Sequence, residues 1–189
     1  GMGQGEPFLN YRNVLAALRI LNDPQGLAIG ARHISISTCG VIEGIERFSH
    51  EPEQFTLAVS LHAARQSTRD LLMPRVARYK LPDLKQALMR YVKKTNRRVT
   101  LEYIMIDNVN DTDRDLEALN AFCSDLLCHV NLIPINAVEG SPFQPSDPLV
   151  LDQWVQSIQS HGKEATVRDS RGSDIDGACG QLKRTKCFT

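Results

Sequence analysis

The chain has 189 residues, of which 42% are hydrophobic and 23% are charged, as is typical of a globular domain with a substantial core. Its 22 basic residues balance its 22 acidic residues, which argues against a large non-specific nucleic-acid-binding surface. The sequence contains no apolar run long enough to span a bilayer and no signal-peptide pattern, so we expect a cytoplasmic protein without a membrane partner.

The cysteines favour reduced thiols rather than a metal site or a disulfide framework. They are odd in number and have none of the CxxC, CxxxC or HxxxH spacings that closed metal sites use. We therefore predict no metal ligands in this chain. The five residues are Cys39, Cys123, Cys128, Cys179 and Cys187.

Helical and strand patterns alternate through the first half of the chain. A glycine-rich turn over residues 3–7 is followed by apolar residues at helical spacing, from Val14 to Leu21. Alternation then predicts a strand over residues 33–37, a short helix over 41–48 and a strand over 55–61. A helical hairpin is expected over residues 67–96, with Pro82 at a helix start.

The second half repeats the alternation. We predict strands over residues 99–106, 129–136 and 165–168, separated by helices whose apolar residues centre on Leu119 and Trp154. About five strand–helix repeats predict an α/β fold in which parallel strands form a partial (β/α) barrel with outer helices. The whole chain is expected to be one domain, 1–189, ending in a loop and tail over 169–189.

Polar residues follow the predicted strands, at the edge where parallel α/β folds place their chemistry. At this edge the Glu6 carboxylate, hydroxyls, amides and one imidazole suit a ligand with an ammonium group, ribose hydroxyls and a purine edge. His62 is interpreted as a core histidine bonded to a backbone carbonyl in preference to a catalytic base. The polar residues at strand ends are Gly5, Glu6, Ser37, Ser60, His62, Asp107, Asn108 and Asn136.

A loop over residues 169–182 follows the last predicted strand. It contains Cys179 between Ala178 and Gly180, with Arg168 and Arg171 close in sequence. Nearby cations favour the thiolate form of a cysteine, which is the nucleophilic form. An ordinary turn with an incidental thiol is the competing interpretation.

Several motifs together resemble the RlmN/Cfr family of radical S-adenosylmethionine (SAM) RNA methyltransferases. The likeness covers essentially the whole chain in order, and the last motif is the most specific. The motifs are MGQGEPFLN (2–10), STCG (37–40), LAVSLHA (57–63), LMP (72–74), EY (102–103), DNVND (107–111), CHVNLIP (128–134) and RGSDIDGACGQL (171–182).

The resemblance implies a function and its residues. Family members methylate adenosine at carbon 2 or carbon 8 of 23S (large-subunit) rRNA, and the RlmN type, which we expect here, also modifies some tRNAs. Cys179 would accept a methyl group from one SAM, and a second SAM would then activate that methyl group for attack on the adenine. The SAM contacts implied are Gly5, Glu6, Ser37, Ser60, Leu61, His62 and Asn136.

The chain also departs from the family pattern. It lacks the CxxxCxxC motif that holds the family's 4Fe-4S cluster, and Ala64 and Arg65 replace the usual Pro-Asn. The resemblance therefore implies the C-terminal part of such an enzyme, with cluster and flavodoxin-type electron donor serving the full-length parent. Such a part is expected to be inactive alone and to self-associate through the strand at 33–37.

Two other hypotheses remain open. The chain could be a non-catalytic module that holds SAM or a nucleotide on a partial barrel. It could also be structural, with the polar strand ends facing solvent and Cys179 an ordinary thiol.

Overall fold

The structure, a computed structural model, describes residues 5–136 and 142–168. Within these residues, five strands form one sheet whose spatial order follows the sequence. The strands are β1 (Ser35–Thr38), β2 (Thr56–Ser60), β3 (Val99–Met105), β4 (Cys128–Pro134) and β5 (Glu164–Val167). The helices are α1 (Tyr11–Asn22), α2 (Ile42–Phe48), α3 (Gln66–Leu72), α4 (Leu81–Thr95), α5 (Asp113–Cys123) and α6 (Pro148–Ser160).

All neighbouring strands in the sheet are parallel. In a doubly wound sheet the strand order reverses at a switch point, whereas here each strand lies beside the next one in sequence. Right-handed crossovers that all advance in one direction place every connecting helix on the same face of the sheet. The predicted α/β fold of parallel strands with outer helices is confirmed.

Local sequence explains where the helices begin and end. The Thr112 side chain caps α5 by accepting from the Asp115 amide, and Asp147 caps α6 by accepting from the Leu149 amide at 2.8 Å. Asn96 ends α4 in a left-handed conformation, with φ at 51°. Local sequence therefore accounts for the first residues of α5 and α6 and for the last residue of α4.

The outer face of the sheet carries the core. Leu101, Tyr103 and Met105 alternate along β3, and all three are fully buried. The Tyr103 ring packs against Trp154 of α6, with 5.3 Å between ring centroids. Phe48 of α2 stacks on the Tyr91 ring of α4 and belongs to the same continuous apolar cluster. Burial on this face supplies most of the hydrophobic stabilisation.

The inner face is polar. Ser60 is in register with Glu102, Glu102 with Asn131, and Asn131 with Thr166, so these side chains form one row across four strands. The Asn131 amide donates to Glu102 Oε2 at 2.8 Å, and Thr166 donates to Asn131 Oδ1 at 3.3 Å. We call these four residues the inner polar row. It gives the inner face a hydrogen-bonding surface.

Several strand boundaries differ from prediction by one or two residues. Residues 31–33 form a 3-10 turn before β1, so the strand starts at Ser35 rather than at residue 33. The predicted helical hairpin over residues 67–96 corresponds to α3 and α4, with Pro82 in the first turn of α4. α3 ends at Leu72, two residues before Pro74, whose ring cannot continue a helix. β1 lies at the edge of the sheet, and self-association through it remains a prediction.

No helix in the part of the chain that the structure describes has the length and apolar character needed to cross a bilayer.

Candidate functional site

The structure brings the predicted ligand-binding residues to one edge of the sheet. Because all strands are parallel, their carboxyl ends meet at the same edge, which we call the rim. Ser37 lies one residue before the end of β1, and Ser60 is the last residue of β2. Asn136 follows β4 by two residues. Gly5, with φ at 101°, leads into Glu6 beside the end of β1.

Glu6 is held at the rim by three hydrogen bonds. Its Oε1 accepts from the Thr38 hydroxyl at 2.8 Å and from the Phe8 amide at 3.0 Å, while Oε2 accepts from the Cys39 amide at 2.7 Å. A carboxylate has about four lone-pair sites, so it can still accept from an ammonium group. The geometry fits the contact that the resemblance implies for Glu6.

Cys39 does not supply a reactive thiol at the rim. Burial and the neighbouring Glu6 carboxylate raise the pKa of Cys39 to about 12. The thiolate, which is the nucleophilic form, is therefore disfavoured. The charged acidic side chain at this point of the rim is that of Glu6 and not that of Cys39.

Leu61 enters the site only through its backbone. Its side chain is fully buried in the core, and its amide donates to the Glu102 carbonyl at 2.9 Å. The carbonyl of Leu61 is thus the group that could meet a ligand.

His62 differs from its predicted environment. Its ring accepts a hydrogen bond at Nδ1 from the backbone amide of Ile104, at 3.2 Å, and within residues 5–136 and 142–168 it donates to no backbone carbonyl. The sequence interpretation of a carbonyl partner was therefore wrong. Burial, with a smaller contribution from the charge of Arg69, lowers the pKa of His62 to about 4. The ring is neutral at physiological pH, which suits a hydrogen-bond donor better than a general base.

Arg69 was missed by sequence reasoning. This residue of α3 is fully buried and donates from Nη2 to the Cys39 carbonyl at 2.8 Å and from Nη1 to the Tyr79 carbonyl at 3.4 Å. Burial lowers its pKa from the ordinary arginine value. The guanidinium ties the loop after β1 to the segment before α4, behind the rim. A lone arginine in a mixed helical pattern gave no signal of this.

Asn110 was also missed. Its Nδ2 donates to the carbonyls of His62 at 2.8 Å and Ile104 at 2.6 Å, while Oδ1 accepts from the Ile106 amide at 2.8 Å. Asn110 is completely buried. The side chain thereby joins the end of β3 to the segment that follows β2. Its place in the DNVND motif was the available signal, although the motif indicated only a turn.

Glu102 is the buried charge of the inner polar row, with 6% of its surface exposed. Burial raises its pKa, and the Asn131 bond and the charges of Arg168 and His129 oppose that shift. Glu102 also supports the rim through its backbone, since its carbonyl accepts from the amides of Leu61 and His62. The backbone of Glu102 therefore holds two residues that are expected to contact SAM.

Cys179 and residues 169–189 lie outside the described residues, as do residues 137–141. Across residues 5–136 and 142–168, no cluster of three or more His, Cys, Asp or Glu side chains is arranged to hold a metal ion. The three described cysteines are also not gathered at one place: Cys39 follows the carboxyl end of β1, whereas Cys123 ends α5 and Cys128 begins β4, so they do not fit a 4Fe-4S cluster that three or four thiolates share.

Comparison with known proteins identifies the relatives of this fold. No protein-family model matches the chain. A probable dual-specificity RNA methyltransferase RlmN from Clostridium perfringens (strain SM101) is 42% identical over 184 residues, which cover 97% of this chain and 53% of that relative. Another from Moorella thermoacetica is 47% identical over 182 residues, 96% of this chain and 51% of the relative. The resemblance to the RlmN/Cfr family is confirmed.

Solved structures agree with the RlmN relationship. A radical SAM methyltransferase from Sphaerobacter thermophilus superposes with a TM-score of 0.91 and is 46% identical, covering 95% of this chain and 53% of that one. A domain of a pyruvate-formate lyase-activating enzyme from Bacteroides vulgatus shares the fold alone, at a TM-score of 0.65 and 16% identity. The chain thus spans about half the length of the RlmN relatives it matches.

Proposed function

We propose that this chain forms the SAM-binding part of an RlmN-type RNA methyltransferase, which methylates carbon 2 of adenosine in 23S rRNA and in tRNA. The observation that carries the proposal is the rim. It gathers Glu6, Ser37, Ser60, His62 and Asn136 at one edge of the sheet. The chain that forms this sheet is 42–47% identical to two RlmN relatives. These are the groups that a sulfonium nucleoside with an amino-acid tail requires.

Each group at the rim has a proposed role. The Glu6 carboxylate accepts from the SAM ammonium group, and the hydroxyls of Ser37 and Ser60 bind the ribose. The His62 ring and the Asn136 amide bind the nucleoside. Together these contacts would orient the sulfonium, which is the methyl donor.

Methyl transfer itself is proposed to use Cys179. Its thiolate attacks the methyl carbon of SAM, the carbon–sulfonium bond breaks, and S-adenosylhomocysteine leaves. In the whole enzyme a 4Fe-4S cluster would supply the electron that cleaves a second SAM. The cysteines of this chain do not form the cluster motif, so we assign no step to that group.

Calorimetric titration of the purified chain with SAM tests the binding part. We expect saturable binding, and Asn136→Ala is expected to weaken it by about three- to tenfold, the value of one lost hydrogen bond. S-adenosylhomocysteine, which lacks the positive charge of the SAM sulfonium, is titrated as a control to show whether that charge contributes to binding. A wild-type chain that binds neither compound would overturn the proposal.

Methylation is tested in a chimera in which this chain replaces the matched segment of the Clostridium perfringens relative. We expect adenosine methylation of ribosomal RNA, detected by mass spectrometry, and methylcysteine in the Cys179 peptide. Cys179→Ala should abolish both signals, while Cys187→Ala, a matched control that lies outside the GACGQ motif, should keep them. Binding of SAM without either signal would favour the non-catalytic SAM-binding module.

A further inference from the structure

The ring of His62 has only one arrangement of protons that satisfies its neighbour. The Ile104 backbone amide always donates, so Nδ1, which lies 3.2 Å from it, must accept. A neutral imidazole that accepts at Nδ1 carries its proton on Nε2. Protonation of Nδ1 would place two donors against each other. His62 is therefore a donor at Nε2 whenever this bond is present.

The backbone of His62 is held as firmly as its ring. Its φ angle is 57°, in the left-handed region that residues other than glycine adopt only when their surroundings impose it. The His62 amide donates to the Glu102 carbonyl at 3.1 Å, and its carbonyl accepts from Asn110 Nδ2 at 2.8 Å. Both ends of the residue are thus bonded to β3 and the turn that follows it.

Asn110 controls both halves of this arrangement. The same Nδ2 donates to the Ile104 carbonyl, and Oδ1 accepts from the Ile106 amide, so one side chain sets the direction of the peptides around Ile104. The Asn110 carbonyl is itself fixed by the Tyr103 hydroxyl at 2.7 Å. A single buried amide group therefore holds the His62 carbonyl directly, and it holds Ile104, whose amide meets His62 Nδ1, through the Ile104 carbonyl.

We propose that Asn110 is a positioning residue that locks His62 as a neutral Nε2–H donor at the rim, aimed at a hydrogen-bond acceptor of the SAM nucleoside. The ligand in this proposal rests on the proposed function, whereas the locked ring does not. Burial and the charge of Arg69 keep the ring neutral at physiological pH. His62 then selects for an acceptor and exchanges no proton with the ligand.

The state of the ring is tested without any ligand. Nitrogen NMR of the full 189-residue chain, labelled in its histidines, distinguishes a protonated from an unprotonated ring nitrogen. At neutral pH we expect His62 with Nδ1 unprotonated and Nε2 protonated. Asn110→Ala is expected to give a mixture of the two neutral tautomers, while Asn13→Ala, on the exposed face of α1, leaves the spectrum unchanged. A protonated Nδ1 in the wild type, or an unchanged spectrum in Asn110→Ala, overturns the lock.

The role of Nε2 is tested with two His62 variants that a folding defect would affect alike. In His62→Gln the side-chain amide reaches the position of Nε2, and in His62→Asn it reaches only that of Nδ1. We expect His62→Gln to bind SAM within about threefold of the wild type and His62→Asn to bind about tenfold more weakly, as for one lost hydrogen bond. Equal losses in the two variants overturn the donor role.

The two experiments separate the lock from the proposed function. Absence of SAM binding by the wild-type chain would overturn the proposed function and the nucleoside contact together, and the NMR spectrum would still decide the state of the ring. If Asn110→Ala does not fold, Asn110→Ser, which keeps one hydroxyl donor, takes its place in the same measurement.

Discussion

Replacement of Glu6 by alanine is expected to reduce the stability of the fold as well as the affinity for SAM. The carboxylate accepts from Phe8, Thr38 and Cys39 at 2.7–3.0 Å, and these donors come from two segments that meet at the rim. A hydrogen bond to a charged group contributes about 1.5–3 kcal/mol. Water can reach the vacated donors at the partly exposed rim, so we expect a net loss of about 2–4 kcal/mol.

Urea denaturation of Glu6→Ala and Thr38→Val measures this contribution. Thr38→Val removes one of the three donors to Glu6, and it also removes the acceptor of the Gly40 and Val41 amides at 3.1 and 3.3 Å, so it is expected to cost about 2–4 kcal/mol as well. Both variants should unfold with the slope of the wild type, because neither changes the buried surface appreciably. A loss below about 0.5 kcal/mol in Glu6→Ala would refute the reasoning, since surface substitutions without specific contacts have effects of that size.

Three further changes test the packing and the buried charges. A methyl group on Gly44 would lie 2.4 Å from the side chain of Phe8, so Gly44→Ala should lose about 1–3 kcal/mol in thermal denaturation, while Gly26→Ala, whose nearest neighbour is at 3.6 Å, should stay near the wild type. Glu102→Gln removes a carboxyl group whose pKa is raised by burial, so the variant should have a higher melting temperature than the wild type at alkaline pH. This gain should shrink at acidic pH, where the wild-type carboxyl is protonated. A lower melting temperature than the wild type at every pH would contradict this. The pKa of His62 is about 4 in the folded state and about 6.5 in the unfolded state. Its contribution to the free energy of unfolding should therefore be full above pH 6.5 and fall as the pH drops from about 6.5 to about 4. If the free energy of unfolding of His62→Gln declines in the same way in this pH range, the assignment is contradicted.

The sequence was sufficient to predict the alternation of elements, because apolar spacing reports directly on which side of a helix or strand is buried. It also placed the polar residues correctly at the strand ends, since parallel strands share one carboxyl edge. These predictions needed only local patterns. The parallel sheet with outer helices follows from the same information.

The contacts within the site required three dimensions. Glu6 and Thr38 are 32 residues apart, and Asn110 and His62 are 48 apart, so no window of sequence contains either pair. The left-handed backbone of His62 is imposed by tertiary contacts, and no glycine marks it. A weak signal did exist for Glu102, because Thr100 and Glu102 alternate with apolar neighbours along β3.

The two faces of the sheet differ in how much of the stability of the fold depends on them. Side chains that face the helices are closely packed, and loss of a single large one such as Leu101 would cost about 2–5 kcal/mol. Ser60 and Thr166 belong to the opposite, inner face, whereas Asn131 of the same row holds the buried Glu102 carboxylate. A library that randomises Ser60 and Thr166 and keeps Asn131 should therefore yield mostly folded proteins. The strands of this sheet offer a scaffold in which new specificities could be selected without first restoring the fold.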